Sequence, residues 1–259
     1  MSEKTRKQKP SPPSLPLFYS QPVLLRHDEH QGKAFRPLRN FSFAAQTNAV
    51  PLNIGEFMPA LRHFPIVFSG APIPSPVALL GLKQGQNLFL TQSGSWLSGV
   101  YLPAYLRRYP FITMEIADQQ QLMLGIDAAS EAFVDLGTAA EAQPFFDDNR
   151  TPTRPAEEVM AFCEAFHQDY LRTKAFIEAL VAEDLFIMRQ ANIQLREAGT
   201  YQLQGFSVVD PERLRNLKPD ILADWEAKGW LSAIHLHIAS MQNWSLLLEL
   251  NLTQTQEAA

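Results

Sequence analysis

From Leu17 to about Asp127, short apolar runs alternate with Pro, Gly, Asn and Ser. This is the pattern of brief strands between turns. It predicts strands at Pro22 to Arg26, Phe41 to Ala45, Phe64 to Phe68, Val77 to Leu82, Asn87 to Leu90, Phe111 to Ala117 and Gln121 to Ile126. A single helical turn interrupts them at PAYLRRY, with Pro103 at its start and Pro110 opposing its continuation. From Pro155 the period changes. Val159, Phe162, Cys163, Phe166, Tyr170, Ile177, Leu180 and Val181 recur mostly at spacings of three or four, which predicts an amphipathic helix of about 30 residues. Asn192 to Arg196 and Tyr201 to Val209 read as arms of a hairpin within Phe186 to Val209, turning at Glu197-Ala198-Gly199. Asp210-Pro211 pairs a capping residue with a first helical position, and Pro219 and Gly229 punctuate the helical segments beyond it. A last helix is expected from Trp230 to about Leu250, docking through Leu231, Ile234, Ile238, Met241, Ser245 and Leu248.

The expected fold class is α+β. A β-rich N-terminal half, a bent sheet or small barrel, packs against a helical C-terminal half that carries a hairpin. The expected organisation is a disordered basic, Pro-rich leader at 1–16, a β-rich half at 17–138, a linker at 139–155, a mainly helical half at 156–250 and a flexible tail at 251–259. The two halves are expected to form one compact unit.

Composition supports an ordinary folded chain: 259 residues, 46% hydrophobic and 19% charged. Lys4, Arg6, Lys7 and Lys9 stand against Glu3 at the start, so the rest of a chain with net charge −5 is more acidic still. An acidic body opposes a general nucleic-acid surface, which needs many cations on one face. Prolines come after the basic start where a signal peptide needs an apolar run, and no segment is apolar for long enough to span a bilayer. The expected location is therefore the cytoplasm, with export to the cell surface left open.

Candidate chemistry is sparse. Cys163 is the only cysteine and falls on a helical apolar face. As a nucleophile it would need a basic neighbour to lower its pKa, and His167, four residues on, is within reach. The six histidines contain no H-E-x-x-H pair, and His235 and His237 diverge if their segment is helical. His237 lies among Trp230, Ile234, Met241 and Trp244 at helical spacing, as expected of a buried imidazole hydrogen-bonded to a carbonyl or carboxylate. His27-Asp28-Glu29-His30 has ligand-like composition but reads as an exposed turn. Phosphate loops, dinucleotide fingerprints and nucleophile elbows are absent from the sequence. No cofactor or metal is expected.

The densest cluster is Trp96, Tyr101, Tyr105, Arg107, Arg108, Tyr109 and Phe111. Two guanidinium groups beside tyrosines suit recognition of a carboxylate, a phosphate or a chain terminus. They equally suit a structural job, capping helix carbonyls or pairing with an internal acid such as Glu56 or Asp127.

FPIVF, PVALLGL, GQNLF, G-S-W and YLPAYLRRYPF occur in that order, followed by LGIDAAS, QPFFDDNRTP, GFSVVDPERLRNL and GWLSAIHLHIASMQNW. With VPLN and Glu56-Phe57, these motifs over residues 17 to 247 resemble the SapC family of bacterial proteins. The resemblance implies a link with bacterial surface layers. It also implies an accessory role beside halogenase-like flavoproteins, cupin-like oxygenases and outer-membrane receptors, and it brings no catalytic residues. The motif positions His30, Glu56, Asn87, Trp96, Arg107, Arg108, Tyr109 and His237 become candidates for a shared site or a shared core. Arg107, Arg108, Tyr109, Tyr105, Trp96, His237 and Glu56 are the expected ligand-binding set. The expected function is a non-catalytic accessory protein that recognises a peptide or protein partner. The alternative is a metal-dependent oxygenase-like enzyme, in which His30 or His237 meets Glu56 or Asp127. A surface-layer component is a third reading.

Overall fold

A computed structural model describes residues 15–70, 73–116, 121–195 and 199–257. Its strands are β1 (Pro22–Leu24), β2 (Lys33–Phe35), β3 (Ala49–Pro51), β4 (Ile66–Ser69), β5 (Pro76–Leu79), β6 (Phe111–Ile116), β7 (Gln121–Asp127), β8 (Phe133–Asp135), β9 (Gln143–Pro144), β10 (Phe186–Leu195) and β11 (Gly199–Val209). Its helices are α1 (His27–His30), α2 (Phe57–Ala60), α3 (Ala104–Arg108), α4 (Arg154–Ala182), α5 (Pro211–Arg215), α6 (Pro219–Ala227), α7 (Trp230–Ser240) and α8 (Trp244–Glu257).

The fold is α+β, and the strands form three antiparallel sheets rather than a closed barrel. Their orders are β1-β7-β6, β8-β2-β9 and β10-β11-β4-β5-β3. The third sheet crosses between the halves. The hairpin β10–β11 comes from the C-terminal half and joins the N-terminal strands where Phe206 pairs with Ser69 and Ser207 with Phe68. The turn at 196–198 lies outside the described residues.

α4 forms where the apolar period predicts it. Thr153 opens the helix by accepting the Ala156 N–H, and its own hydroxyl donates to the Pro144 carbonyl, tying the helix start to β9. Phe176, Ile177 and Leu180 of α4 join Phe57, Phe64, Phe68, Phe89, Leu80 and Ile234 in the main core. Burying each such side chain is worth about 2–3 kcal/mol. Cys163 faces the other way, into a smaller core with Leu25, Phe35, Phe111, Ile126 and Phe145. α4 thus divides two packed cores, and no helix among the described residues is long and apolar enough to cross a membrane.

Three local expectations are corrected. Phe41 to Ala45 is not a strand. Asn40 Oδ1 accepts the Ser42 N–H, and that local bond starts the 3-10 helix Ser42–Ala44. Asn87 to Leu90 is likewise a turn, because Asn87 Oδ1 accepts the Phe89 N–H and its amide donates to the Ala44 carbonyl. The last helix is broken by a 3-10 turn at Met241–Asn243. Here Asn243 Nδ2 donates to the carbonyls of Leu61 and Phe64, just past α2. A straight helix read from periodicity has no way to register that pull.

Candidate functional site

Glu56 lies at the centre of the aromatic and arginine segment. It ends the 3-10 helix Ile54–Glu56 and completes a capping box with Asn53, its Oε2 accepting the Asn53 N–H at 2.9 Å. Oε1 accepts the Ala104 N–H at 2.6 Å and the Tyr101 hydroxyl at 3.0 Å. One buried carboxylate therefore satisfies orphan donors at the start of two short helices. Burial raises its pKa, opposed by these hydrogen bonds and by Arg107. Burial also lifts the Tyr101 hydroxyl to about 12, reinforced by the Glu56 charge.

Among the described residues, neither arginine pairs directly with an acid. Arg107 is exposed, with its guanidinium 5.9 Å from the Tyr101 ring centroid and 5.3 Å from that of Phe162 on α4. It touches the Glu56 network only through a long 3.5 Å contact to the Tyr101 hydroxyl. Arg108 points inward and is 8% exposed, 4.3 Å from the Phe166 ring centroid, 5.0 Å from Tyr105 and 5.7 Å from Tyr19. Its Nε has no hydrogen-bond partner among the described residues. The aromatic faces offset part of the cost of burying that charge. The consecutive arginines thus do different work: both meet aromatic rings of α4, but the short helix leaves Arg107 exposed at the edge and buries Arg108.

Two of the tyrosines bind backbone and two bind carboxylates. Tyr105 donates to the Leu17 carbonyl and Tyr19 to that of Phe111, and burial raises the pKa of both. Tyr109 donates to Asp127 at 3.4 Å and lies 4.3 Å from the Phe43 ring. Asp127 is fully buried and accepts the Gln21 and Ser20 N–H groups at 2.6 and 3.1 Å. Trp96 donates to the Tyr101 carbonyl and stacks on Phe89. Tyr19, Phe162 and Phe166 complete this cluster from distant segments. Only Phe162 and Phe166 left a trace in sequence, as an i, i+4 pair on the apolar side of α4.

His237 is elsewhere. In the register set by Ser207 opposite Phe68, Val209 falls opposite Ile66, yet the imidazole of α7 stands between them. The Val209 N–H can only donate, so Nε2 accepts it at 3.1 Å. The proton therefore sits on Nδ1, which donates to the Ile66 carbonyl at 2.7 Å. Ser240, one turn on, accepts the Ile66 N–H and donates to the His237 carbonyl. Burial lowers the His237 pKa to about 4. Both ring nitrogens are occupied.

The remaining candidates are also placed. His30 ends α1, and its Nδ1 accepts the Arg26 N–H. The HDEH segment is thus one helical turn with His30 buried. His30, His237, Glu56 and Asp127 share no hydrogen-bond partner among the described residues. No group of three or more His, Cys, Asp and Glu side chains among the described residues is arranged to hold a metal ion. Burial pushes the Cys163 thiol up to about 12, far from a thiolate at neutral pH.

These environments make substitutions at His237 and Arg108 informative. The folded pKa of His237 lies below the unfolded value, so the unfolded chain takes up a proton first as pH falls. The stabilisation is complete above about pH 6.5 and is lost toward pH 4, about 3 kcal/mol in all. Urea denaturation across pH 7 to 4 should show this loss in the wild type and lack it in His237→Leu, which is less stable at pH 7. Equal pH slopes in both proteins contradict the assignment. For Arg108, an Ala substitution opens a cavity among three rings and is expected to cost about 2–4 kcal/mol. Arg108→Met fills the space without a charge and should keep the wild-type melting temperature or exceed it. A Met variant as damaged as the Ala variant shows that the fold needs the guanidinium's polar bonds.

Comparison with curated proteins and with solved structures gives no match. A family model described as SapC matches residues 25–247. That span holds both cores, the Glu56 network and the His237 bridge, and the chain belongs to the SapC family.

Proposed function

We propose that this chain is a non-catalytic accessory protein that binds a peptide or protein partner, with the Arg107 surface as its contact. The supporting observation is the contrast within the arginine pair. Arg107 presents an exposed guanidinium, preoriented over Tyr101 and Phe162, while Glu56, Asp127, His237 and Arg108 are buried among backbone groups and rings. A guanidinium steadied on aromatic faces loses less freedom on meeting a carboxylate than a free arginine does. Half-buried Trp96 and Tyr109 border the same segment. Of the expected binding set, Arg107 is the residue best placed to meet a partner, and Glu56 holds its platform through Tyr101.

The family resemblance favours a partner in a modification or uptake pathway, with a halogenase-like flavoprotein or a cupin-like oxygenase as the first to test. Binding in the cytoplasm before any export fits the expected location. In pull-downs with such a partner, Arg107→Ala is expected to weaken capture at least tenfold and leave the melting temperature within about 1 °C, as is usual for an exposed side chain. Undiminished capture by the variant overturns the Arg107 surface. Turnover of a substrate by the isolated wild-type chain overturns the non-catalytic reading.

A further inference from the structure

A groove of about 330 Å³ runs between β7 and the first turns of α4, on the side of the smaller core. Leu122, Leu124, Phe146 and Met160 form its walls, all partly exposed. Glu157 and Glu164 stand at its rim, seven residues apart on one face of α4, so their spacing along the axis is about 10 Å. Both are exposed, and neither forms an ion pair with a described residue. The groove is therefore apolar inside, with a negative rim that no described residue neutralises through an ion pair.

The strand forming one wall also has an open edge. β1 pairs with β7 only from Gly125 to Asp127, and the Leu25 N–H adds one bond to the Leu124 carbonyl before the chain leaves for α1. In β7 the Asp127 N–H bonds toward β6, to Pro110, whereas Leu124 bonds toward β1. Leu122, two residues before Leu124, turns its N–H and C=O to the same side as Leu124. Among the described residues no strand lies opposite it. An unpaired edge is a template for another strand.

We infer that this groove docks an extended polypeptide segment from a partner, in which apolar residues alternate with Lys or Arg. Its backbone would extend the sheet at Leu122, its apolar side chains would fill the groove, and its cations would meet Glu157 and Glu164. Strand addition supplies main-chain bonds while alternate side chains give specificity. Long basic side chains also lay their stems along apolar walls. This site is a second surface and stands without the Arg107 reading.

The test is selection from a phage-displayed random dodecapeptide library on the immobilised full-length chain, followed by anisotropy with the selected peptide. Wild type is expected to enrich alternating apolar and basic residues. The E157K/E164K variant should enrich Asp or Glu at the basic positions and bind the original peptide at least tenfold more weakly. Ala161→Trp, which fills the groove from an exposed helix position, should abolish enrichment of this alternating consensus. Three results overturn the proposal: no consensus on the wild type, a consensus indifferent to charge reversal, or a dimer that the selected peptide dissociates, which gives the groove to a second copy.

Discussion

Ile66 and Val209 occupy positions where β4 and β11 would next exchange backbone hydrogen bonds, and an imidazole fills the gap. Here the hairpin, contributed by the second half of the chain, diverges from the strand contributed by the first. A buried N–H and a buried carbonyl would be left unpaired, at a cost of about 1–3 kcal/mol each. His237 meets both with one neutral ring, and Ser240 meets the Ile66 N–H from the same helix. Helix α7 thus acts as the missing rung of the sheet. The largest core, with Phe64, Phe68, Phe176 and Ile234, closes around that junction.

The same economy governs the first half. Glu56 caps two short helices and Asp127 fastens residues 20 and 21, so irregular chain is ordered by buried carboxylates instead of long strands. Sheets of two- to seven-residue strands supply few ladder bonds, and such side chains make up the deficit. Glu56, Asp127 and His237, which stand out in the sequence as candidate chemistry, each bond backbone groups in the structure. Under the proposed function, recognition falls to side chains left at the surface: Arg107 beside Tyr101 and Phe162, and the glutamates beside the β7 edge.

Local signals made much of the fold legible. α4 was readable from its long apolar period, and α5 from Asp210, which stands just before Pro211 and accepts the Glu212 and Arg213 N–H groups. β2, β3, β8 and β9 were not, because two or three residues hold too little alternation and take their strand character from partners far along the chain. Asn40 and Asn87 misled for the opposite reason: their side chains satisfy nearby N–H groups and curl segments whose apolar content suggests strands. The Arg107-Arg108 cluster was visible as a cluster, but its division of labour depends on Phe162 and Phe166, more than fifty residues away. The partners of His237 lie 28 and 171 residues away, beyond any spacing rule.

The junction is tested most directly by the protonation of one ring. Nitrogen-15 correlation spectra of uniformly labelled protein report the tautomer and titration of each histidine. His237 is expected to hold its proton on Nδ1 at pH 7 and to stay neutral down to about pH 4. An Nε2-protonated ring, or one that titrates near 6.5 like an exposed histidine, contradicts the account.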